Sequence, residues 1–192
     1  IDKYGLNHLN HNGLVSKVIG GNYGLQIPFM KNLIVGNKIE AYNFPQGILS
    51  QMCRTMASKQ PGIITKVGLN TYMDPRIEGG KMNKKTKKNL IELIKIGGQE
   101  YLFYKAQKPD VAIIRGTSID NDGYVYMDHE ATTREDLSIA QAVHNNGGVV
   151  ICQFKKFTKK NYTNPHLAKI PAFLIDYYVH DLMQKQTYVT KY

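Results

Sequence analysis

A long amide stands at the start of a predicted helix in the stretch EAYNFPQGILSQMC, residues 40–53. Pro45 suits the first turn of a helix and Gly47 suits a turn, so backbone geometry explains both residues. Gln46 is different, because capping would favour Ser or Asp at this place. The glutamine therefore favours a role in a site, and the alternative is an exposed residue at a helix start.

A second candidate is the glycine-rich turn GGNYG, residues 20–24, which falls between a predicted strand and a predicted helix. Backbone N–H groups in such a turn can bind an anion, with help from the helix dipole. The spacing does not match the Rossmann fingerprint, since Gly20 and Gly21 are adjacent. The alternative is that these glycines only permit a tight turn.

Other catalytic and metal-binding motifs are missing from the sequence. It contains no HExxH, CxxC or GxSxG pattern, and its histidines do not cluster. We therefore expect no metal site and no activated Ser or Cys nucleophile. Cys53 and Cys152 each lie in an apolar run, which favours a reduced, cytoplasmic protein over a disulfide framework.

Two glutamates lie in polar segments and could act as a base or a nucleophile. Glu78 belongs to DPRIEGGK, and its simplest interpretation is a loop ion pair with the nearby Arg76. Glu130 belongs to DHEATT, and its simplest interpretation is a residue at a helix start that the dipole stabilises.

The elements that would position these residues alternate between strands and helices. Strands are predicted at residues 14–21, 38–44 and 62–68, with helices at 25–38 and 45–59 between them. This alternation predicts right-handed βαβ units and an α/β fold with a mainly parallel open sheet and flanking helices. The turns after the three strands would then form one rim, where open sheets bind ligands.

The second half of the chain adds a hairpin, further strands and one clear helix. Residues 91–105 predict an inserted β-hairpin that turns at Gly97 and Gly98. Residues 131–148 predict the helix, with a capping box of Thr132 and Glu135 and a stop at Gly147. More strands are predicted at residues 110–118, 148–154 and 170–180.

The net charge of +10 is nearly all lysine spread along the chain, as codon bias in an AT-rich genome would produce. We expect no nucleic-acid partner, although a CoA or phosphate ligand could use some of the lysines. No apolar run is long enough to span a bilayer and no signal-peptide pattern opens the chain, so we expect no membrane partner. The ends at Ile1 and Tyr192 read as cut points in a longer protein.

Several motifs together resemble family I coenzyme A transferases. The matching segments are KVIGGNYG, KIEAYNFPQG, ITKVGLNTYMDPRIEGGKMN, EYLFYKAQKPDVAIIRGTSIDNDGYVYMDHEA and IPAFLIDYYV, in this order. The chain is most similar to the single-chain acetate/propionate CoA-transferases and less similar to the acetoacetate:succinate type. This resemblance implies the CoA-transferase α/β fold, which is related to sugar-phosphate isomerase-like folds.

The resemblance also implies a ping-pong reaction through a glutamyl–CoA thioester. Coenzyme A would be a substrate, with no permanently bound cofactor, and the partners would be an acyl-CoA and a short-chain carboxylic acid. Residues 1–192 would be part of the N-terminal, alpha half, and the catalytic beta half would be absent. The nucleophilic glutamate of the family lies in that missing half, so we expect it C-terminal to Tyr192 and expect no catalytic nucleophile in this chain.

From the same resemblance, Gln46 would face the cleft between the two halves, close to the nucleophilic glutamate. A neutral amide there can donate to an anionic intermediate, whereas an Asp would repel it. The other substrate-binding candidates on the same rim are Asn43, Gly47, Gly20, Gly21 and Asn22.

The missing half has consequences for the 192 residues on their own. We expect them to be inactive, and we expect exposed apolar surface to cause self-association. The parent would be a homo-oligomer. Two other functions stay open: a basic, non-enzymatic binding module with salt-dependent affinity for nucleic acid, and an isomerase or hydrolase of the related fold with its own acid–base pair.

Overall fold

The structure is a computed structural model that describes residues 5–130, 132–159 and 165–185. Strands and helices both occur along these residues, which confirms the α/β class predicted from the sequence. The strands are β1 (Lys17–Gly20), β2 (Glu40–Asn43), β3 (Gly62–Thr65), β4 (Ile91–Ile96), β5 (Gln99–Lys105), β6 (Val111–Arg115), β7 (Ser118–Ile119), β8 (Val125–Tyr126), β9 (Val149–Phe154), β10 (Lys156–Phe157), β11 (Ala168–Ile170) and β12 (Tyr177–His180). The helices are α1 (Ile27–Phe29), which continues as a π-helix over Met30–Val35, α2 (Gln46–Ala57) and α3 (Asp136–Asn145).

The chain divides into two compact units. The first unit contains the residues up to Met52 and the segment Gly62–Lys105. The second unit contains Cys53–Pro61 and the residues from Ala106 onward. Helix α2 therefore begins in the first unit and ends in the second.

In the first unit, β1 and β2 pair in parallel, with Gly20 opposite Asn43 at their carboxyl ends. The helical segment that starts at Ile27 connects them. Leu33 and Ile34 on this segment are buried against Phe29. The strand–helix–strand connection thus brings the ends of two strands side by side.

The rest of the first unit is an antiparallel sheet in which β5 lies between β3 and β4. The predicted β4–β5 hairpin is confirmed, and its turn residues Gly97 and Gly98 have φ values of 56° and 78°, as a type I′ turn requires. The parallel placement predicted for the third strand is wrong, because β3 pairs antiparallel with β5. A short apolar strand does not specify its own direction, and here β3 pairs with the edge of the hairpin formed by β5.

In the second unit, β6, β9 and β12 form a parallel sheet with β9 at the centre. Helix α3 covers one face of it, where Ala140 and Val143 pack with Val150 and Cys152. The predicted stop at Gly147 is confirmed. Gly147 has a φ of 76° and donates to the His144 carbonyl, while Gly148 donates to the Val143 carbonyl, which together form a Schellman motif.

The capping box predicted at the other end of α3 is wrong. The helix begins at Asp136, and Glu135 at its N-cap makes no side-chain capping bond. Thr132 instead accepts a hydrogen bond at Oγ1 from the N–H of Arg134, 3.3 Å away. A Ser/Thr turn of this kind satisfies the hydroxyl locally and competes with the cap.

A second, mixed sheet of the same unit has the order β10-β7-β8-β11. Strands β7 and β10 are parallel, and β8 is antiparallel to both β7 and β11. Buried Asp120 stabilises the turn before β8. Its Oδ1 accepts from the N–H groups of Asp122 and Tyr124, and its Oδ2 accepts from the Tyr126 hydroxyl at 3.0 Å.

The face of the β6–β9–β12 sheet that α3 does not cover is apolar and largely exposed. Ile113 is 79% exposed and Tyr177 is 62% exposed, and the register places both beside Ile151. The apolar face consists of Val111, Ile113, Val149, Ile151, Tyr177 and Val179. Because parallel sheets are normally covered on both faces, this surface favours association with another surface.

Replacing Ile113 with Lys is expected to weaken self-association of the 192-residue chain at least about tenfold, because a charge on the apolar face would have to be buried in any contact. Sedimentation velocity at matched concentrations measures the effect. Val35→Lys is the control, since Val35 is 65% exposed but lies outside this face. Equal effects of the two substitutions would show that net charge, rather than the apolar face, controls association.

Candidate functional site

The candidate site lies at the carboxyl ends of β1 and β2, within the first unit. The parallel register continues one step past β2, because the Phe44 N–H donates to the Gly20 carbonyl at 2.9 Å. This places the turn after Gly20 directly beside the segment that leads into α2. The two neighbouring strand ends predicted to share a rim therefore do so.

The Asn43 side chain connects the two strand ends. Its Nδ2 donates to the Gly20 and Gly21 carbonyls, at 3.1 and 2.9 Å, and its Oδ1 accepts from the Tyr72 hydroxyl at 3.2 Å. The orientation of the amide follows from these neighbours, since two carbonyl oxygens can only accept. Asn43 thus holds two successive carbonyls of the glycine turn on one side.

The peptide N–H groups of this turn point the other way. In a trans peptide, the N–H lies opposite the preceding carbonyl, so the N–H groups of Gly21 and Asn22 point away from Asn43. Along the described chain, neither N–H has a hydrogen-bond acceptor. Successive N–H groups that converge on one side form a cradle for an anionic oxygen.

Gln46 is the first residue of α2, is exposed, and lies beside Gly21 of this turn. Its carboxamide oxygen lies so close to Gly21 that a β-carbon there would overlap it. The start of the helix carries a positive partial charge. Gly47 follows Gln46 in α2, and the space beside it is open, since a β-carbon there would meet no atom within 4 Å.

Asn22 contributes its backbone rather than its side chain. Its Oδ1 accepts from the Gly24 N–H at 2.7 Å, so the amide is turned back onto its own loop. Tyr23 anchors the turn beneath: it is 4% exposed, and its hydroxyl donates to the Tyr42 carbonyl at 2.9 Å. Burial raises the pKa of Tyr23 well above its ordinary value, so the hydroxyl stays a neutral donor.

A third segment completes the rim, although its strand lies in the antiparallel sheet. The loop after β3 carries Tyr72, whose hydroxyl meets Asn43, and Gly80, whose carbonyl accepts from the Asn43 N–H at 2.9 Å. The sequence placed this loop at the rim but did not single out Tyr72. No local signal marks it, because its partner lies 29 residues away in the chain.

The two candidate glycines at positions 20 and 47 differ in surroundings, which leads to a prediction. Gly20→Ala is expected to lower the free energy of unfolding by about 1–3 kcal/mol, because its β-carbon would come within 2.8 Å of the buried Tyr23 hydroxyl. Gly47→Ala is expected to raise the free energy of unfolding by up to about 1 kcal/mol, because alanine forms helices more readily than glycine does. Urea unfolding followed by circular dichroism measures both, and equal effects would contradict this packing.

The acidic residue that organises the long loop is Asp74, not Glu78. Asp74 is fully buried and accepts hydrogen bonds from Arg76 Nη2 at 2.7 Å and Nε at 3.0 Å. Arg76 also pairs with Glu100 at 2.9 Å. The loop ion pair predicted for Glu78 is wrong: Glu78 is exposed and forms no ion pair among the described residues.

Glu130 also differs from its predicted role at a helix start, since α3 begins six residues later. Its side chain is 6% exposed and pairs with Arg115 Nη2 at 2.8 Å and Nε at 2.9 Å. Gln184 lies 3.4 Å from the other carboxylate oxygen. A carboxylate paired this closely is held in place by its partners, which favours a structural role over that of a nucleophile.

The thiols and possible metal ligands give no further site. Burial raises the pKa of Cys152 to about 12, so its thiol is protonated and unreactive at neutral pH. Within residues 5–130, 132–159 and 165–185, no group of three or more His, Cys, Asp or Glu side chains could hold a metal ion. None of the helices described is long and apolar enough to cross a membrane.

Comparison with known families decides the identity of the fold. A family model described as "Coenzyme A transferase" matches residues 2–181. The chain belongs to the coenzyme A transferase family. The resemblance seen in the NFPQG and DPRIEGGK segments is thereby confirmed, and the rim described above includes the first of these two segments.

The chain is similar to several curated proteins. It is 46% identical over 184 residues to acetate CoA-transferase YdiF of Escherichia coli O157:H7 and 45% identical over 175 residues to caffeate CoA-transferase of Acetobacterium woodii. These matches cover 96% and 91% of this chain but 34% and 33% of the relatives, so the chain spans about a third of their length. It is also 30% identical to the acetoacetyl-CoA:acetate/butyrate CoA transferase alpha subunit of Clostridium acetobutylicum, over 92% of this chain and 72% of that subunit.

Solved structures agree with this assignment. The crystal structure of the YdiF apoenzyme superposes with a TM-score of 0.91 at 45% identity, covering 97% of this chain and 36% of that one. A second YdiF structure, a thioester complex with CoA, superposes with a TM-score of 0.88 and covers 94% of this chain and 35% of that one. The fold of these residues is therefore shared with an acyl-CoA transferase that has been solved as a thioester complex with CoA.

Proposed function

We propose that residues 1–192 are part of the N-terminal, alpha half of an enzyme that transfers CoA between a short-chain acyl-CoA and a free carboxylic acid. The observation that carries this proposal is the cradle of Gly21 and Asn22 N–H groups beside Gln46. Membership of the family and the names of the relatives, which include acetate and acetoacetyl-CoA/butyrate transferases, support the same substrate class.

The proposed reaction uses a glutamate from the second half of the enzyme. A carboxylate oxygen of that glutamate attacks the thioester carbonyl carbon, the C–S bond breaks, and CoA leaves as the thiolate. The resulting acyl–glutamyl anhydride is attacked by the thiolate at the glutamyl carbonyl carbon, and the acyl group leaves as a carboxylate. A second carboxylic acid then reverses the two steps, so no water or redox partner is consumed.

The rim would act on the charge that each attack creates. A tetrahedral intermediate carries negative charge on the former carbonyl oxygen, and preorganised N–H groups are the donors that stabilise it. In our proposal, this oxygen sits over the Gly21 and Asn22 N–H groups, and the Gln46 amide supplies a further donor. Because Gln46 is neutral, it leaves the nucleophilic glutamate ionised.

The proposal also defines the partners. Acyl-CoA and the acceptor acid are substrates, CoA is not a permanent cofactor, and the second half completes the active site. We propose a cytoplasmic homo-oligomer as the working form. The match to 72% of an alpha subunit supports the division into halves.

A trapping experiment tests the function. We call the 192 residues together with the second half the complete transferase. With acetyl-CoA and propionate it is expected to form propionyl-CoA, and after incubation with acetyl-CoA, borohydride reduction should modify one glutamate outside residues 1–192. The 192-residue chain alone is the control and is expected to be inactive. Absence of exchange would contradict the proposed function, and a modified glutamate inside this chain would contradict the assignment of the nucleophile.

A further inference from the structure

Tyr72 occupies an unusual position at the rim. Tyr72 is 45% exposed, yet its hydroxyl donates a hydrogen bond to Asn43 Oδ1 at 3.2 Å. Asn43 in turn is the side chain that holds the Gly20 and Gly21 carbonyls. The hydroxyl therefore lies two hydrogen bonds from the cradle and does not itself belong to it.

The backbone fixes Tyr72 independently of its hydroxyl. The Gly80 N–H donates to the Tyr72 carbonyl at 2.9 Å, and the Gly80 carbonyl accepts from the Asn43 N–H at 2.9 Å. Gly80 has a φ of 70°, and a β-carbon there would come within 3.1 Å of the Phe44 ring. This close backbone contact keeps the loop against the end of β2 whether or not the hydroxyl is present.

From this arrangement, we propose that Tyr72 is a positioning residue that locks the Asn43 amide and so directs the Gly21 and Asn22 N–H groups toward the reacting oxygen. The inference rests on the proposed function and adds a residue to it. Asn43 is only partly buried, so without the hydroxyl its Oδ1 would bond to water, and only the two bonds to the Gly20 and Gly21 carbonyls would hold the amide. Preorganisation of the cradle would then be weakened while its atoms stayed in place.

Tyr72→Phe in the complete transferase is the test of this role. Removal of the single oxygen is expected to lower kcat about tenfold while KM for acetyl-CoA changes less than twofold, because donors aimed at a charge that develops in the transition state affect kcat. Tyr124→Phe is the matched control: Tyr124 is 41% exposed and its hydroxyl has no hydrogen bond to a described residue. Equal activity of the Tyr72→Phe variant and the wild type would overturn the proposal.

A double-mutant cycle with Asn43→Ala separates positioning from a direct role. If Tyr72 acts only through Asn43, Tyr72→Phe is expected to have no further effect on kcat in an Asn43→Ala background. Independent, multiplicative effects would show that the hydroxyl contacts substrate itself and would overturn the positioning role.

A measurement on the 192-residue chain keeps the inference separate from the proposed function. Hydrogen exchange of the Asn43 side-chain amide, followed by NMR, is expected to be slow in the wild type and at least about tenfold faster in Tyr72→Phe. Unchanged hydrogen exchange would contradict the positioning of the Asn43 amide by Tyr72. If the amide exchanges as expected but the complete transferase has no CoA exchange activity, the proposed function is wrong and the positioning of Asn43 by Tyr72 is still supported.

Discussion

Replacing Gln46 with Glu is expected to lower kcat/KM of the complete transferase about 100-fold or more. A carboxylate beside Gly21 would place a negative charge next to the cradle, repel the anionic intermediate and raise the pKa of the nucleophilic glutamate. Exchange of acetyl-CoA with propionate measures the loss.

The same substitution is expected to stabilise the chain. Gln46 is the first residue of the 12-residue helix α2, where a negative charge interacts favourably with the helix dipole by about 0.3–1 kcal/mol. Activity and stability should therefore change in opposite directions. That combination distinguishes a site residue from an exposed residue at a helix start, which would gain stability without losing activity.

Gln51→Glu serves as the control for Gln46→Glu. Gln51 is exposed on the same helix but lies more than one turn from its start. It is expected to leave both kcat/KM and the free energy of unfolding nearly unchanged. If both substitutions reduced activity equally, the effect would come from net charge and the assignment of Gln46 to the site would be wrong.

Replacing Asp74 with Asn is expected to lower the free energy of unfolding by about 2–4 kcal/mol. The carboxylate accepts four hydrogen bonds, from the N–H groups of Asn70 and Arg76 and from two guanidinium nitrogens of Arg76. An amide of the same shape can accept on one side only, so buried donors would face its NH₂ group. Urea unfolding of the 192-residue chain measures the change.

The contribution of Asp74 should depend on pH in a defined direction. Hydrogen bonds from the Arg76 side chain, with those from the two backbone N–H groups, hold the pKa of Asp74 well below its ordinary range. A carboxylate whose folded pKa is depressed stabilises the fold above its unfolded pKa, near 4, and loses this contribution as the pH falls toward the folded pKa. The difference between wild type and Asp74→Asn should be constant from about pH 5 to 8 and shrink below about pH 4.

Glu78→Gln is the control for Asp74→Asn, because it removes a carboxylate from the same loop at an exposed position without an ion pair to the described residues. It is expected to change stability by less than about 0.5 kcal/mol. A loss as large as that of Asp74→Asn, or a loss for Asp74→Asn that does not depend on pH, would contradict the role assigned to Asp74.

Local features of this protein could be predicted from the sequence because local physics specifies them. Gly97 and Gly98 adopt positive φ more easily than other residues, so their place between two apolar alternating runs predicts the hairpin. Gly147 ends α3 for the same reason. The polar turns after β1 and β2 could be placed together because parallel strands align their carboxyl ends.

Pairings between distant residues could not be predicted in this way. Three features join segments that only the folded chain brings together. They are the antiparallel pairing of β3 with β5, the ion pair of Glu130 with Arg115, and the contact of Tyr72 with Asn43. Nothing near Tyr72 in the sequence distinguishes it from the other tyrosines of the chain.

The sequence by itself determined the family, the alternation of strands and helices, and the turns that carry Gly20, Gly21, Asn43 and Gln46. The tertiary structure decided which of these groups meet: Asn43 binds the glycine turn, and Gln46 lies against Gly21. The physical reason is that backbone propensity acts within a few residues. A hydrogen bond such as that from Tyr72 to Asn43 depends instead on packing that places two loops within 3.2 Å.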